Sequence, residues 1–92
     1  MNYNILPYSY HQAKILGVDI EPSTRKGKKI DVYQHNNYIC SVGAINYGDY
    51  PHYLEEKGKE YAENRRRLYK IRHQKNRTIV GSCGFFADKL LW

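Results

Sequence analysis

The sequence predicts an α+β domain: an N-terminal capping helix, an antiparallel hairpin sheet of two or three strands covered by a long basic helix, and a short apolar C-terminal helix. Three features point there. Ile30-Asp31-Val32-Tyr33 and residues 38–42 are strand-like and flank His35-Asn36-Asn37, where asparagine tolerates the positive φ of a hairpin turn. From His52 to Asn76, Leu54, Tyr61 and Leu68 recur seven residues apart, with Ala62 and Tyr69 beside them, which is a helical period. Finally, a hairpin is marginal alone, so the long helix is expected to cover one face of the sheet. A chain of 92 residues has room for one core and one domain, residues 1–92, with a flexible N-terminal segment allowed over residues 1–8.

The elements follow in order. Ser9-Tyr10-His11-Gln12 has the form of a capping box, Ser9 accepting from the amide three residues on and Gln12 reaching back. Tyr8 and Ala13 suit a hydrophobic staple, Ala13, Leu16 and Tyr10 an apolar stripe, and Gly17 a left-handed stop. Val18 and Ile20 alternate with Asp19 and Glu21 up to Pro22, a short extended segment. Residues 23–29 form a basic loop with no apolar side chain, so none of them is expected in the core. The hairpin has two registers: a two-residue turn at His35-Asn36 pairs Val32 with Ile39, and a three-residue turn pairs Val32 with Cys40. Asp49 and Pro51 mark the start of the long helix, and Gly58 leaves open its division into two. Its glutamates come early and its arginines and lysines late, the order the helix dipole favours. Gly81 to Gly84 break the chain before the last apolar helix, Phe85 to Trp92.

Composition bounds the function. Hydrophobic residues are 41% of the chain and charged residues 26%, a globular balance, while the mean hydropathy of -0.78 reflects ten tyrosines that pack as apolar bodies with polar tips. No stretch approaches the roughly 20 apolar residues that span a bilayer, and the N-terminus lacks the pattern of a secretory signal, so neither a membrane partner nor secretion is expected. Cys40 and Cys83 are too few and too far apart for a disulfide framework and read as reduced, largely buried thiols. A zinc site from Cys40, Cys83, His35 and His73 would lack the paired ligand spacing of structural zinc, so no metal and no cofactor is expected.

The net charge of +6 is the strongest functional signal. Eleven of the 15 basic residues lie in two clusters, Arg25, Lys26, Lys28 and Lys29 in the loop, and seven between Arg65 and Arg77. On a helix Arg66, Lys70, His73 and Arg77 form one stripe suited to following phosphates, expected to face away from Leu54, Tyr61 and Leu68. Arg65 and Arg72 flank the apolar seam, half buried against tyrosines. A solvated helix face helped by its dipole is the plainer alternative for these charges. Catalysis finds little support, because Asp31, Asp49, Glu63 and His73 read more simply as turn, cap or surface residues. Leu90, Leu91 and Trp92 end the chain on three large apolar side chains, which either fold back into the core or anchor a neighbour in a homo-oligomer or other assembly.

Two resemblances enter here. The order Tyr38, Gly43, Arg65, His73 faintly resembles the motif order of GIY-YIG nucleases, without their surrounding strands or a metal-binding glutamate after the helix. More of the chain, from about Ser9 to Trp92, carries a second: Ser9-Tyr10-x-Gln12-Ala13-Lys14-x-Leu16-Gly17-Val18, Pro22-Ser23-x-x-Lys26-x-Lys28-Lys29-Ile30-Asp31-Val32, Gly43-Ala44-x-x-Tyr47-x-Asp49-Tyr50, Arg66-x-x-Tyr69-x-x-Arg72-His73 and Gly84-x-x-Ala87-x-x-Leu90-Leu91-Trp92. Together they resemble a family of small uncharacterised proteins of large double-stranded DNA viruses, giant viruses and some tailed phages. The resemblance implies a viral context, in the virion or the infected cell, and no mechanism. The expected function is therefore a non-enzymatic viral protein that binds nucleic acid, duplex DNA first. Its contacts would be Arg66, Lys70, His73 and Arg77, with Arg25, Lys26, Lys28 and Lys29 as a second set. The alternative is a minor capsid or core protein that docks on acidic virion proteins and is anchored by Leu90, Leu91 and Trp92.

Overall fold

The computed structural model describes residues 3–92. Helix α1 (Pro7–Leu16) is followed by β1 (Asp19–Pro22), β2 (Lys28–Gln34) and β3 (Asn37–Ala44), then α2 (Tyr50–Lys57), α3 (Lys59–Arg72), the single turn α4 (Gln74–Arg77) and α5 (Cys83–Leu91). The strands form one antiparallel sheet in the order β1-β2-β3. The α+β architecture thus agrees with the sequence, and the sheet has three strands.

Helix α1 begins two residues before the expected box. Pro7 takes its first position, where the missing N–H and fixed φ cost nothing, and Leu6 precedes it without a side-chain cap. Ser9 therefore lies inside the first turn and is fully buried. Its hydroxyl donates to the Leu90 carbonyl at 2.6 Å, and Gln12 Nε2 donates to the Lys89 carbonyl at 3.1 Å. Those carbonyls belong to the last turn of α5, which has no intrahelical donors for them. The residues read as a cap of α1 cap the far end of the chain instead. Gly17 does end α1, with φ 74°. Of the segment expected to be flexible, Met1 and Asn2 lie outside the described residues; from Tyr3 on it belongs to the fold, with Ile5 and Leu6 buried.

The hairpin combines halves of both registers. His35 and Asn36 both have positive φ, 52° and 65°, a two-residue turn of the primed type that matches strand twist. Tyr33 then pairs with Tyr38, but Val32 pairs with Cys40, because a bulge leaves Ile39 unmatched. Without that extra residue the pairing would slip by one and turn Cys40 and Val42 out of the core.

The core lies between the sheet and α5. Ile30, Val32, Cys40 and Val42 from the sheet meet Phe86, Leu90 and Leu91, with Ile5, Ala13 and Val18 closing the side. No residue of α3 belongs to this cluster, so the cover expected of the long helix is supplied by the C-terminal helix. The physical reason is composition: α5 is apolar on most sides, whereas α3 carries charge on most of its turns. Gly58, at φ 90° and ψ 170°, separates α2 from α3. Leu54, Tyr61 and Leu68, expected as the buried seam, are exposed, and only Ala62 and Tyr69 of α3 are buried.

Two buried carboxylates brace the sheet. Asp49 caps α2 by accepting from the His52 amide, and also accepts from Lys29 Nζ at 2.8 Å and the Tyr3 hydroxyl at 2.7 Å. Lys29 is only 3% exposed, so the loop does supply a core residue, held there by a buried ion pair. Burial pushes the Asp49 carboxyl up, but the Lys29 ammonium and the other donors outweigh it and hold the group below its ordinary value. Asp31, in the middle of β2, is likewise opposed by burial and held low by the hydroxyls of Ser23 and Ser41 and the Thr24 amide. Of the thiols, Cys40 is buried and Cys83 exposed. Burial and the neighbouring Cys83 push the Cys40 thiol up to about 12.

Candidate functional site

Helix α3 presents cations on two sides, and the two sides have different fates. Arg66, Lys70 and, one turn beyond, Arg77 face α5. Arg66 Nε donates to the Trp92 carbonyl at 2.6 Å, its Nη2 donates to the Tyr8 hydroxyl, and its guanidinium lies 3.6 Å over the Tyr50 ring. Lys70 Nζ bonds Asp88 Oδ1 at 2.8 Å, and Arg77 Nη1 is 3.9 Å from Asp88 Oδ2. Asp88 is fully buried within the apolar helix. A buried carboxylate must be paired, and Lys70 pairs it at Oδ1, while Oδ2 accepts no hydrogen bond among the described residues and has Arg77 as a more distant ion-pair partner. Three of the four residues expected to follow phosphates in solvent, Arg66, Lys70 and Arg77, in this way form a clamp that holds α5 against α3. Asp88, an acid in the middle of the apolar run from Phe85 to Trp92, is the sequence signal that would have shown it.

Arg65, Tyr69, Arg72 and His73 are spaced i, i+4, i+7 and i+8 and form the neighbouring side of α3. They line a cavity of about 620 Å³ between α3, the last turn of α5, the end of β3 and the loop that follows it. Lys28 of β2 lines its opposite wall, joined by the rings of Tyr47, Tyr53 and Trp92. The backbone at Gly43 and Gly48 forms part of its surface. A Cβ on Gly48 would fall 2.2 Å from Tyr53 Cζ, and one on Gly43, which also has φ 82°, 2.7 Å from Leu91 Cδ1, so only glycine lets these side chains close on the loop.

The electrostatics of the cavity are one-sided. Among the described residues its lining contains no aspartate or glutamate. Arg65 Nε is buried without an acceptor, which costs about 1–3 kcal/mol for such a donor, and its guanidinium sits 5.7 Å from the Tyr53 ring. Neither Arg65 nor Arg72 makes a salt bridge among the described residues. His73, Tyr69 and Trp92 form a three-ring stack, with centroids 4.2 Å apart at the first step and 4.5 Å at the second. Burial is the main reason the Tyr69 hydroxyl is held above its ordinary pKa, and Asp88 adds to it.

Of the expected nucleic-acid contacts, Lys28, Lys29 and His73 reach this cavity, and the Lys29 ammonium is taken by Asp49. Arg25 and Lys26 stay exposed on the loop away from it, with Arg25 5.8 Å from the Tyr38 ring. Gly43, Arg65 and His73 of the nuclease-like order meet there, whereas Tyr38 lies at the hairpin end, bonded to Ser41. Leu90 and Leu91 are buried in the chain's own core and Trp92 is half buried on Tyr69, so the anchoring role expected of the two leucines is closed to them in the folded domain. Tyr47, Tyr53 and Tyr69 were not legible as site residues; the density of glycine and tyrosine over residues 43–50 was a trace of Tyr47, and the tyrosines expected beside Arg65 and Arg72 a trace of the other two. No protein-family model, no curated protein and no solved structure matches the chain.

Proposed function

We propose that the protein binds nucleic acid, without catalysing a reaction, through the cavity between α3 and the end of β3. One observation carries this reading: Lys28 from the first basic cluster and Arg65, Arg72 and His73 from the second, far apart in the chain, converge on one aromatic-walled cavity that, among the described residues, no aspartate or glutamate lines. Uncompensated cations beside stacking surfaces suit a polyanion whose repeating unit carries both a phosphate and a planar ring. Arg25 and Lys26 on the exposed loop extend the positive surface beyond the cavity. The resemblance of the sequence motifs to small proteins of large double-stranded DNA viruses makes viral nucleic acid the partner we expect, in the virion or the infected cell.

A titration of labelled DNA at several salt concentrations tests this. The wild-type protein should bind with affinity that falls steeply with salt, and Lys28→Ala with Arg72→Ala should weaken binding and lessen the slope by about one unit per contact. An acidic polypeptide that competes as well as DNA does would favour docking on acidic protein surfaces instead.

A further inference from the structure

We infer that the cavity seats one unstacked nucleotide of a single strand, its base against the exposed rings and its phosphate on Arg65, Arg72 and Lys28. This rests on the nucleic-acid reading and narrows it from duplex to unpaired strand. Three features of the cavity support it. First, the site is concave, and its volume of about 620 Å³ lies in the range of small-ligand pockets, roughly 300–1,000 Å³, so it takes one monomer unit and not a helix. Second, in the ring stack of His73, Tyr69 and Trp92 the middle ring is covered by the other two and Trp92 is also approached by Tyr53 at 6.2 Å, so the half-buried His73 is the end on which a further ring can stack. A base can take that place only when it is unpaired or flipped out, because in a duplex both its faces are already covered by neighbours. Tyr47, 76% exposed on the loop after β3, stands ready as a second surface. Third, Arg65 lines the cavity and its guanidinium makes no ion pair among the described residues, so its terminal nitrogens are left for a phosphate oxygen, the charge-assisted partner they favour.

The chain carries its own reporter, since Trp92 is its only tryptophan. Titrating the full chain with a short oligothymidylate should quench Trp92 emission, and the single strand should bind about tenfold or more tightly than a blunt duplex of the same length at the same salt. Tyr47→Ala and Arg72→Ala, both at exposed positions, should each weaken single-strand binding about tenfold while the thermal melt stays unchanged. Arg72→Ala should also lower the salt slope by about 0.7, the value for a phosphate contact on a single strand. Equal or tighter binding of the duplex with Trp92 emission unchanged would overturn the unstacked nucleotide and leave the nucleic-acid reading standing. Binding of neither strand form would overturn both.

Discussion

Arg65 and Arg66 are adjacent in the chain and alike in chemistry, yet they belong to different parts of the molecule's economy. The rotation of about 100° per residue turns Arg66 toward the carbonyl at the end of α5, the Tyr8 hydroxyl of α1 and the Tyr50 ring of α2, which receive it. The same rotation turns Arg65 toward a cavity where its Nε receives nothing. Repeated along the helix, this offset separates a structural set, Arg66, Lys70 and, beyond α3, Arg77, from Arg65 and Arg72 on the cavity side, with the exposed Arg67 held by Asn64 on neither. Charge density alone does not separate a binding surface from a scaffold; the separation depends on what lies opposite each side chain.

The largest effect should come from removing what the structural set holds. Deleting Leu90, Leu91 and Trp92 takes two fully buried leucines from the core, each worth about 2–5 kcal/mol, together with the carbonyl that Arg66 engages. Since domains are stable by only about 5–15 kcal/mol, the truncated chain should show no cooperative melt even when dilute. A normal melt would mean that the C-terminal turn is not part of the monomer's core.

Next in size is the clamp itself. Lys70→Ala leaves Asp88 buried with only the distant Arg77, and should cost about 3 kcal/mol in urea unfolding. Arg66→Ala should cost about 1–2 kcal/mol, from the cation–π contact and the bonds to Trp92 and Tyr8. A change under about 0.5 kcal/mol in both would place these side chains in solvent, as sequence reasoning had them.

Acid should act on the sheet's braces. Asp49 and Asp31 are both held below the ordinary carboxylate value of 3.8, against burial, by Lys29 and by the Ser23 and Ser41 hydroxyls respectively. A carboxyl with a depressed folded pKa binds protons less readily when folded than when unfolded, so its stabilisation is complete above 3.8 and is lost as pH falls through and below that value. Melting temperatures measured from neutral pH downward should therefore drop in that window. Asp49→Asn should lower stability at neutral pH and reduce the acid sensitivity; an unchanged acid profile in this variant would remove Asp49 from the account.

The boundary between what was legible and what was not follows the same division. The hairpin turn at His35-Asn36, the cap and proline at Asp49 and Pro51, and the stop at Gly17 were readable because each depends on a local backbone preference. The inward face of α3 was not, because hydrophobic periodicity detects only apolar contacts and this helix is fastened by Asp88, a carbonyl and aromatic faces. The Leu54, Tyr61, Leu68 seam misled for that reason. Ser9 and Gln12 misled because a capping-box spelling does not say which helix end lies within reach, and Pro7 had already fixed the start of α1 two residues earlier. The cavity was invisible because its members come from β2, β3, the loop after it, α3 and α5, which only the closed fold brings together.

The smallest expected change in stability accompanies the largest expected change in binding. Arg65→Ala with Arg72→Ala should melt no lower than wild type, since the exposed Arg72 makes no ion pair among the described residues and removing the unpartnered Arg65 Nε offsets the loss of its distant contact with the Tyr53 ring. The most direct test of the division sets this double variant beside Arg66→Ala with Lys70→Ala, measuring thermal melts and single-stranded DNA affinity of each well below its melting temperature. The Arg65 and Arg72 variant should keep the melt and lose most of the binding, and the Arg66 and Lys70 variant should lose stability and, while folded, keep the binding. The reverse pattern, binding lost with Arg66 and Lys70 and kept without Arg65 and Arg72, would contradict the account.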